Sequence, residues 1–349
     1  MHKLSLLAIG TKFGSTWMEA AKNNPNWEVA GCVANTNKSL RKASRKFNIN
    51  KKYLFNDVST ALEETPDLDA VVVATPNQFH YNMSKLVIEH DLHLILEKPI
   101  TETWDQAVDL VRLLDKHKKK GCVGQTLRGE LMLRMIAHKL NNGIIGNIEQ
   151  FNFECHWNWL GDPKKRWRFR LPHMFLDDIG IHQIDTIRML LNNRKCLTVF
   201  ADEYTPKSYP IQTLKATANA ILTMEDNIRV NYFGSMGAKG ESLGWYGLIK
   251  AFGSKGSLYR DPYGEPYVVF EGKKKKKGID CDDLDEFLSY TDYEKIPYVL
   301  EDFYHAITED RPPVTDLHDN INSHAILLAM KKSSEEKRLV DVQAEFPQL

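Results

Sequence analysis

Cysteine is scarce in this chain, five among 349 residues. Cys32, Cys122, Cys155, Cys196 and Cys281 are far apart and form no CxxC pair. That excludes a disulfide framework or a cysteine-built zinc site, and the thiols read as small buried hydrophobes in a reducing compartment. Net charge is also missing: Lys+Arg 46 balances Asp+Glu 46. A nucleic-acid binder normally carries a basic excess, so none is expected as a partner. No apolar run is long enough to span a bilayer, and Met1-His2-Lys3 leads directly into a short strand pattern instead of a signal peptide. The expectation is a soluble cytoplasmic protein with a small-molecule substrate, no membrane partner, no internal repeat and no low-complexity segment.

The apolar fraction of 42% suffices for buried cores, and the length favours two domains. The first part alternates. Leu4–Ile9, Trp27–Val33, a weak Tyr53–Phe55, Asp69–Ala74, Leu94–Leu96 and Gly121–Gly124 read as strands. Helical patterns lie from Trp17, over Lys38–Phe47, over Gln78–Glu89 and over Trp104–His117. Alternation of this kind implies right-handed crossovers and a doubly wound parallel sheet. Gly10-Thr11-Lys12-Phe13-Gly14-Ser15 then sits between a strand and a helix, where backbone N–H groups and the helix dipole can receive a phosphate. The glycine fingerprint is imperfect, because Lys12 and Ser15 occupy two of its places. The carboxylate that usually meets the adenosine ribose is also missing: Ala34 holds that place, and Asn35, Thr36 and Asn37 follow. With Lys12, Lys38 and Arg41 near and no acid to repel a 2′-phosphate, the local chemistry tolerates NADP and leans toward it over NAD. The alternative is that Asn35 holds the ribose of NAD and the cations are solvated.

Two further stretches carry chemistry. His93-Leu94-Ile95-Leu96-Glu97-Lys98-Pro99 is a buried strand stopped by a proline, which delivers Lys98 to a strand's C-terminal end, where open α/β sheets place their ligands. An ordinary surface lysine before a turn is the alternative. Asp178, His182 and Asp185 are spaced four and three apart, so a helix starting near Asp178 would project all three from one face. A carboxylate beside an imidazole fixes its tautomer and raises its basicity, as a general base requires. The same set could ligate a metal, or Asp177 or Asp178 could merely cap the helix and leave His182 a core residue.

Ala74-Thr75-Pro76-Asn77-Gln78-Phe79-His80, Glu97-Lys98-Pro99, Val123-Gly124-Gln125-Thr126-Leu127-Arg128, Asn142-Gly143-Ile144-Ile145-Gly146, Trp167-Arg168, Asp178-Ile179-Gly180-Ile181-His182-Gln183-Ile184-Asp185 and Phe252-Gly253-Ser254-Lys255-Gly256-Ser257 occur in this order. Together they resemble the Gfo/Idh/MocA oxidoreductases, named after glucose–fructose oxidoreductase and inositol dehydrogenase. The glycine turn is similar to that of the siderophore thiazoline imine reductases, a side branch which lacks the lysine kept here as Lys98. The resemblance implies a Rossmann domain over 1–124 and an α+β substrate and oligomerisation domain over 125–349 built on a large, mostly antiparallel sheet. It implies an active site between them, metal-free catalysis, and hydride transfer to or from nicotinamide C4.

On that basis Lys98, His182 and Asp178 are the expected catalytic residues. His182 takes the hydroxyl proton, Asp178 orients the ring, and Lys98 steadies charge on the same oxygen. Glu97 positions Lys98, and a cis bond before Pro99 aims it. Expected cofactor contacts are Gly10, Thr11, Lys12, Phe13, Gly14, Asn35, Thr36, Lys38, Thr75, Pro76, Asn77, His80, Glu97, Lys98, Gln125, Trp167 and Arg168. Expected substrate contacts are Lys98, Arg128, Arg168, Asp178 and His182. The activity implied is an NAD(P)-dependent dehydrogenase or reductase acting on a secondary alcohol or ketone of a sugar, cyclitol or polyol. An imine reductase and an inactive cofactor-sensing relative are the alternatives.

In the second half, Leu131–Leu140 reads as a helix, and Asn147–Trp157, Leu197–Glu203, Leu214–Thr223, Ile228–Phe233, Leu248–Phe252 and Tyr267–Phe270 as strands. Their period-two alternation leaves one face open. In relatives that face pairs with another subunit, so a homodimer or homotetramer is expected. Lys273–Lys277 reads as a solvated hairpin tip, 298–308 and 316–332 as helices, the latter packing back on the first domain, and Leu339–Val342 as a final strand.

Overall fold

The computed structural model describes residues 3–159, 169, 171–272, 277–279 and 293–347. These fold as two compact units, residues 3–131 with 293–321 and residues 132–279 with 322–347.

The first unit holds strands β1 (Leu4–Ile9), β2 (Trp27–Val33), β3 (Leu54–Phe55), β4 (Ala70–Val73), β5 (His93–Leu96) and β6 (Gly121–Val123). They form one parallel sheet ordered β3-β2-β1-β4-β5-β6. β1, β4 and the apolar run of β5 are buried, as near-continuous Val/Ile/Leu strands covered on both faces must be. Helices α1 (Gly14–Lys22), α2 (Asn37–Phe47), α3 (Val58–Glu64), α4 (His80–Glu89) and α5 (Trp104–His117) fill the crossovers. α3 has no apolar stripe long enough to announce it in the sequence; the Asp57 side chain caps it by accepting from Thr60 N at 2.9 Å. The strand order reverses between β1 and β4, the crevice at which doubly wound sheets take their ligands.

Residues 293–321 belong to this unit for a physical reason. The ring of Phe303 stacks on Trp27 at 6.3 Å, and Glu301, buried, accepts from Asn24 and Asn26 side chains. The second domain of the sequence reading is therefore interrupted. The helix expected over 316–332 begins in this unit, with Leu317 and Ile321 in its core.

The second unit is built on strands β7 (Ile148–His156), β8 (Cys196–Tyr204), β9 (Thr217–Met224), β10 (Arg229–Ser235), β11 (Leu248–Gly253), β12 (Gly256–Arg260), β13 (Tyr267–Phe270), β14 (Lys277–Gly278) and β15 (Val340–Asp341). They lie in the order β14-β13-β12-β11-β7-β10-β9-β8-β15, antiparallel except for the β7–β10 pair. Among the described residues its helices are α6 (Leu131–Asn141), α7 (Ile181–Leu190), the part of α9 (Leu317–Glu336) from residue 322, and α10 (Val342–Glu345); α8 (Lys295–Thr308) belongs to the first unit. Tyr232 on β10 donates to Gln183 on α7, and Ser333 and Ser334 on α9 accept from the backbone of Ala201 and Glu203 on β8, so these helices cover one face. The other face is open, with Phe200, Tyr204 and Ile221 exposed. Of the lysine run, 273–276 lies outside the described residues, as does Cys281. The four described cysteines are buried free thiols, and burial pushes Cys32 up to about 11.

Candidate active-site elements

The glycine turn fits a dinucleotide phosphate. Gly10 has φ +98, a left-handed conformation that glycine alone adopts without strain, and a Cβ there would lie 2.4 Å from the Ala74 carbonyl oxygen at the end of β4. The turn is thus pressed against the neighbouring strand's exit. α1 begins at buried Gly14 with no side-chain cap, leaving its N-terminal dipole unneutralised at the strand-order reversal. Thr11 is half-buried, and Lys12 and Phe13 are exposed. At the end of β2, Asn35, Thr36, Asn37 and Lys38 are all exposed and no carboxylate stands among them. Thr36 also caps α2, accepting from Ser39 N at 3.2 Å.

The neighbouring strand exits are tied together from beneath. Thr75, Pro76 and Asn77 form the loop after β4, and Glu97, Lys98 and Pro99 the loop after β5, with a cis Lys98–Pro99 bond as expected. His80 Nδ1 lies 2.8 Å from the Pro99 carbonyl oxygen and Nε2 lies 2.9 Å from that of Thr75. With both ring nitrogens spent on backbone and the residue 1% exposed, His80 is a clip between two loops and not the expected cofactor contact. Burial holds its imidazole below its usual range, against the pull of those carbonyls.

Glu97 is also buried. Its carboxylate accepts from the Trp17 indole at 2.7 Å and more weakly from the Lys98 backbone N–H at 3.4 Å. A Cβ at Gly124 would come within 2.8 Å of the Glu97 Oε1 atom, which explains the glycine there. Burial raises the Glu97 carboxyl above its ordinary value, while Trp17 and the Lys98 charge pull the other way. Glu97 therefore braces Lys98 from below, and its oxygens face the protein interior. Lys98 itself is half-buried at the strand exit, and Gln125 is buried.

Arg128, expected on the substrate, is committed elsewhere. Its guanidinium is 4% exposed and donates to the Val314 carbonyl and Asp319, both at 3.3 Å, so it serves the packing of the first unit. Trp167 and Arg168 lie outside the described residues.

In the second unit, Asp178 falls in a π-helical turn, Leu176–Gly180, which runs into α7 and places His182 in its first turn. π turns are rare and concentrate at functional sites. The N-cap positions of these segments are Phe175 and Gly180, and Asp177 and Asp178 lie inside the π turn, so neither acid occupies the capping position. Asp185, expected on the same helix face, accepts from Ser323, whose hydroxyl also receives Arg188. Among the described residues no cluster of three histidine, cysteine or acidic side chains gathers to hold a metal.

Sequence reasoning missed the aromatic surroundings of His182. The Trp245 indole meets the imidazole edge to face at 6.0 Å and stacks on Trp157 at 5.5 Å, while remaining 44% exposed. Cys155 Sγ donates to the Gly244 carbonyl at 2.9 Å, tying this loop to β7. Nothing in the periodicity around Trp245 signals this, because the contact is made by an irregular loop.

The comparisons with known proteins agree on a family. Residues 4–125 match the model of the oxidoreductase family with an NAD-binding Rossmann fold, and residues 133–259 match the Gfo/Idh/MocA C-terminal domain. The chain belongs to the Gfo/Idh/MocA oxidoreductase family. It is 24% identical to the inositol 2-dehydrogenase/D-chiro-inositol 3-dehydrogenase of Lacticaseibacillus casei, over 82% of this chain and 79% of that one. It is also 24% identical to the myo-inositol 2-dehydrogenase of Thermotoga maritima, over 87% and 88%. Among solved structures, an Agrobacterium radiobacter oxidoreductase in complex with NAD+, L-tartaric acid and magnesium has the same fold, with TM-score 0.85, 19% identity and coverage of 98% and 99%. Among the described residues no helix is long and apolar enough to cross a membrane.

Proposed function

We propose that this oxidoreductase moves a hydride between nicotinamide C4 and a secondary alcohol or ketone of a sugar, cyclitol or related polyol. The observation that carries the reading is the setting of His182: a nearly buried imidazole, one turn beyond an acid in a π-helical segment, against an exposed indole. An indole face suits the C–H face of a sugar or cyclitol ring, and a sheltered imidazole suits proton exchange with its hydroxyl. The inositol dehydrogenases among its relatives support the same substrate class.

A nicotinamide dinucleotide, when bound, would supply the hydride chemistry. The protein's own work is acid–base and electrostatic. His182 takes the hydroxyl proton in oxidation and returns it in reduction, Asp178 holds the imidazole in the required tautomer, and Lys98 donates to the same oxygen and stabilises its developing charge. Glu97 steadies Lys98 through its backbone N–H. Gly10 and the N-terminus of α1 would hold the dinucleotide's pyrophosphate. Exposed Lys12, Lys38 and Arg41, without a carboxylate at the end of β2, favour NADP over NAD.

The open face of the second unit's sheet, with a concavity of about 510 Å³ lined in part by Phe200, Ile221 and Phe233, is the surface for a homodimer or homotetramer. The test is titration of purified protein with NAD+ and NADP+, followed by a screen of cyclitols, aldoses and a thiazoline imine read by nicotinamide absorbance. Turnover of a cyclitol or sugar supports the proposal. Turnover of the imine alone overturns it, and so does dinucleotide binding without turnover of any of them.

A further inference from the structure

The π-helical turn Leu176–Gly180 is held from behind by a group of charges that the chemistry above does not use. Asp177, 7% exposed, makes an ion pair with Lys331 on α9. One turn earlier, His173 places Nδ1 2.5 Å from Glu203 Oε2 on β8 and Nε2 3.0 Å from Glu335 Oε1 on α9. The two ties are joined through the backbone, because Asp177 N donates to the His173 carbonyl at 2.9 Å. Lys215 completes the group: its ammonium donates to the Glu203 carbonyl at 3.2 Å and its own carbonyl accepts from Phe175 N at 3.0 Å.

Two of these carboxylates, Asp177 and Glu203, are buried, and buried carboxylates persist only when paired. Lys331 answers the first and the His173 imidazole answers the second. Burial alone would depress the His173 imidazole, but the hydrogen bond and charge of Glu203 outweigh it and raise the group above its usual value. Burial in turn raises Glu203. Among the described residues, the groups facing His173 are Glu203 from β8, Glu335 and Lys331 from α9 and Asp177 from the π turn, with Lys215 reaching the Glu203 carbonyl; His324, buried on α9, also feels Lys331.

We infer that Lys331 and His173 are positioning residues that lock the π turn from two sides and so fix the direction of the next carboxylate along, Asp178, toward the catalytic imidazole. A π turn has a wider, weaker ring of hydrogen bonds than an α-turn, and side chains spaced around it shift when it relaxes. Asp177 and Asp178 are adjacent, so anchoring one to α9 determines where the other points. The inference rests on the proposed pairing of Asp178 with His182.

The test reads His182 directly and needs no substrate. Histidine-labelled protein is titrated by NMR, with the His182 signal identified by its loss in His182→Gln. Lys331→Met and His173→Gln are each expected to move the His182 midpoint by about half a pH unit or more, and Lys331→Arg to restore it. Thermal unfolding and dinucleotide titration show whether each variant is folded; where Lys331→Met is not, His173→Gln carries the test. An unmoved midpoint in a folded variant overturns the inference, as does Lys331→Arg behaving like Lys331→Met. Asp178→Asn separates the two claims. If it leaves the midpoint unmoved, the pairing itself is wrong. If it moves the midpoint while Lys331→Met and His173→Gln do not, only the positioning role fails.

Discussion

Replacing Trp17 with Phe removes one hydrogen bond from the brace under Lys98, and its cost should depend on pH in a particular way. The indole N–H donates at 2.7 Å to the buried Glu97 carboxylate. A hydrogen bond to a charged, desolvated acceptor contributes about 1.5–3 kcal/mol. Trimming the indole to a phenyl ring also leaves a void costing roughly 1 kcal/mol more. The sum is about 2.5–4 kcal/mol at neutral pH, or roughly 5–15 °C in the melting temperature of the first unit. Burial already raises the Glu97 carboxyl, and losing the indole raises it further.

An acid raised in the folded state is favourable to folding below its unfolded pKa, and that contribution is lost as pH rises through the folded value. The Trp17→Phe deficit should therefore be smallest near the unfolded carboxylate range and grow toward neutral pH, while the part due to the void stays constant. Glu97→Gln keeps an acceptor for the indole and removes the charge. It should melt close to wild type at neutral pH and abolish the pH dependence of the Trp17→Phe deficit when the two are combined. Thermal melts across pH, followed by tryptophan fluorescence or circular dichroism, measure all four proteins. A Trp17→Phe deficit of the same size at acid and neutral pH would refute this account of Glu97, and so would a Glu97→Gln protein as unstable as Trp17→Phe.

Gly10→Ala puts a Cβ 2.4 Å from the Ala74 carbonyl in a backbone that alanine resists, so dinucleotide affinity should fall at least about tenfold in a binding titration. His318, raised to about 9 first by its hydrogen bond to Asp316 and further by Asp115, stabilises the fold fully below its unfolded value and loses that effect as pH rises through about 9. His318→Gln should accordingly melt below wild type at neutral pH and together with it at about pH 10. Ile221→Asp, on the open sheet face, should convert an assembled protein to monomer in light scattering without lowering the dinucleotide affinity.

The parallel sheet was legible because its strands are buried on both faces and read as apolar runs, and the strand-end position of Lys98 followed from the proline that stops β5. The antiparallel sheet was legible by its alternation. Other features depend on contacts far apart in sequence. His80 lies in a motif that suggests a cofactor contact, yet its ring is consumed by Thr75 and Pro99, a fate no spacing rule reveals. Arg128 is drawn to Asp319, 191 residues away. Residues 293–321 join the first unit because Phe303 and Glu301 find Trp27 and Asn24, and the π turn under Asp178 breaks the α-helical spacing assumed for Asp178, His182 and Asp185.

The central claim, that Lys98 and His182 serve the oxygen of a carbinol losing hydride, is tested most directly by comparing wild type with Lys98→Met and His182→Ala on one cyclitol or sugar substrate. Each variant should bind the dinucleotide within about threefold of wild type and lose roughly two or more orders of magnitude in turnover, with a pH profile that no longer shows the base in His182→Ala. Turnover preserved in both variants would contradict the account.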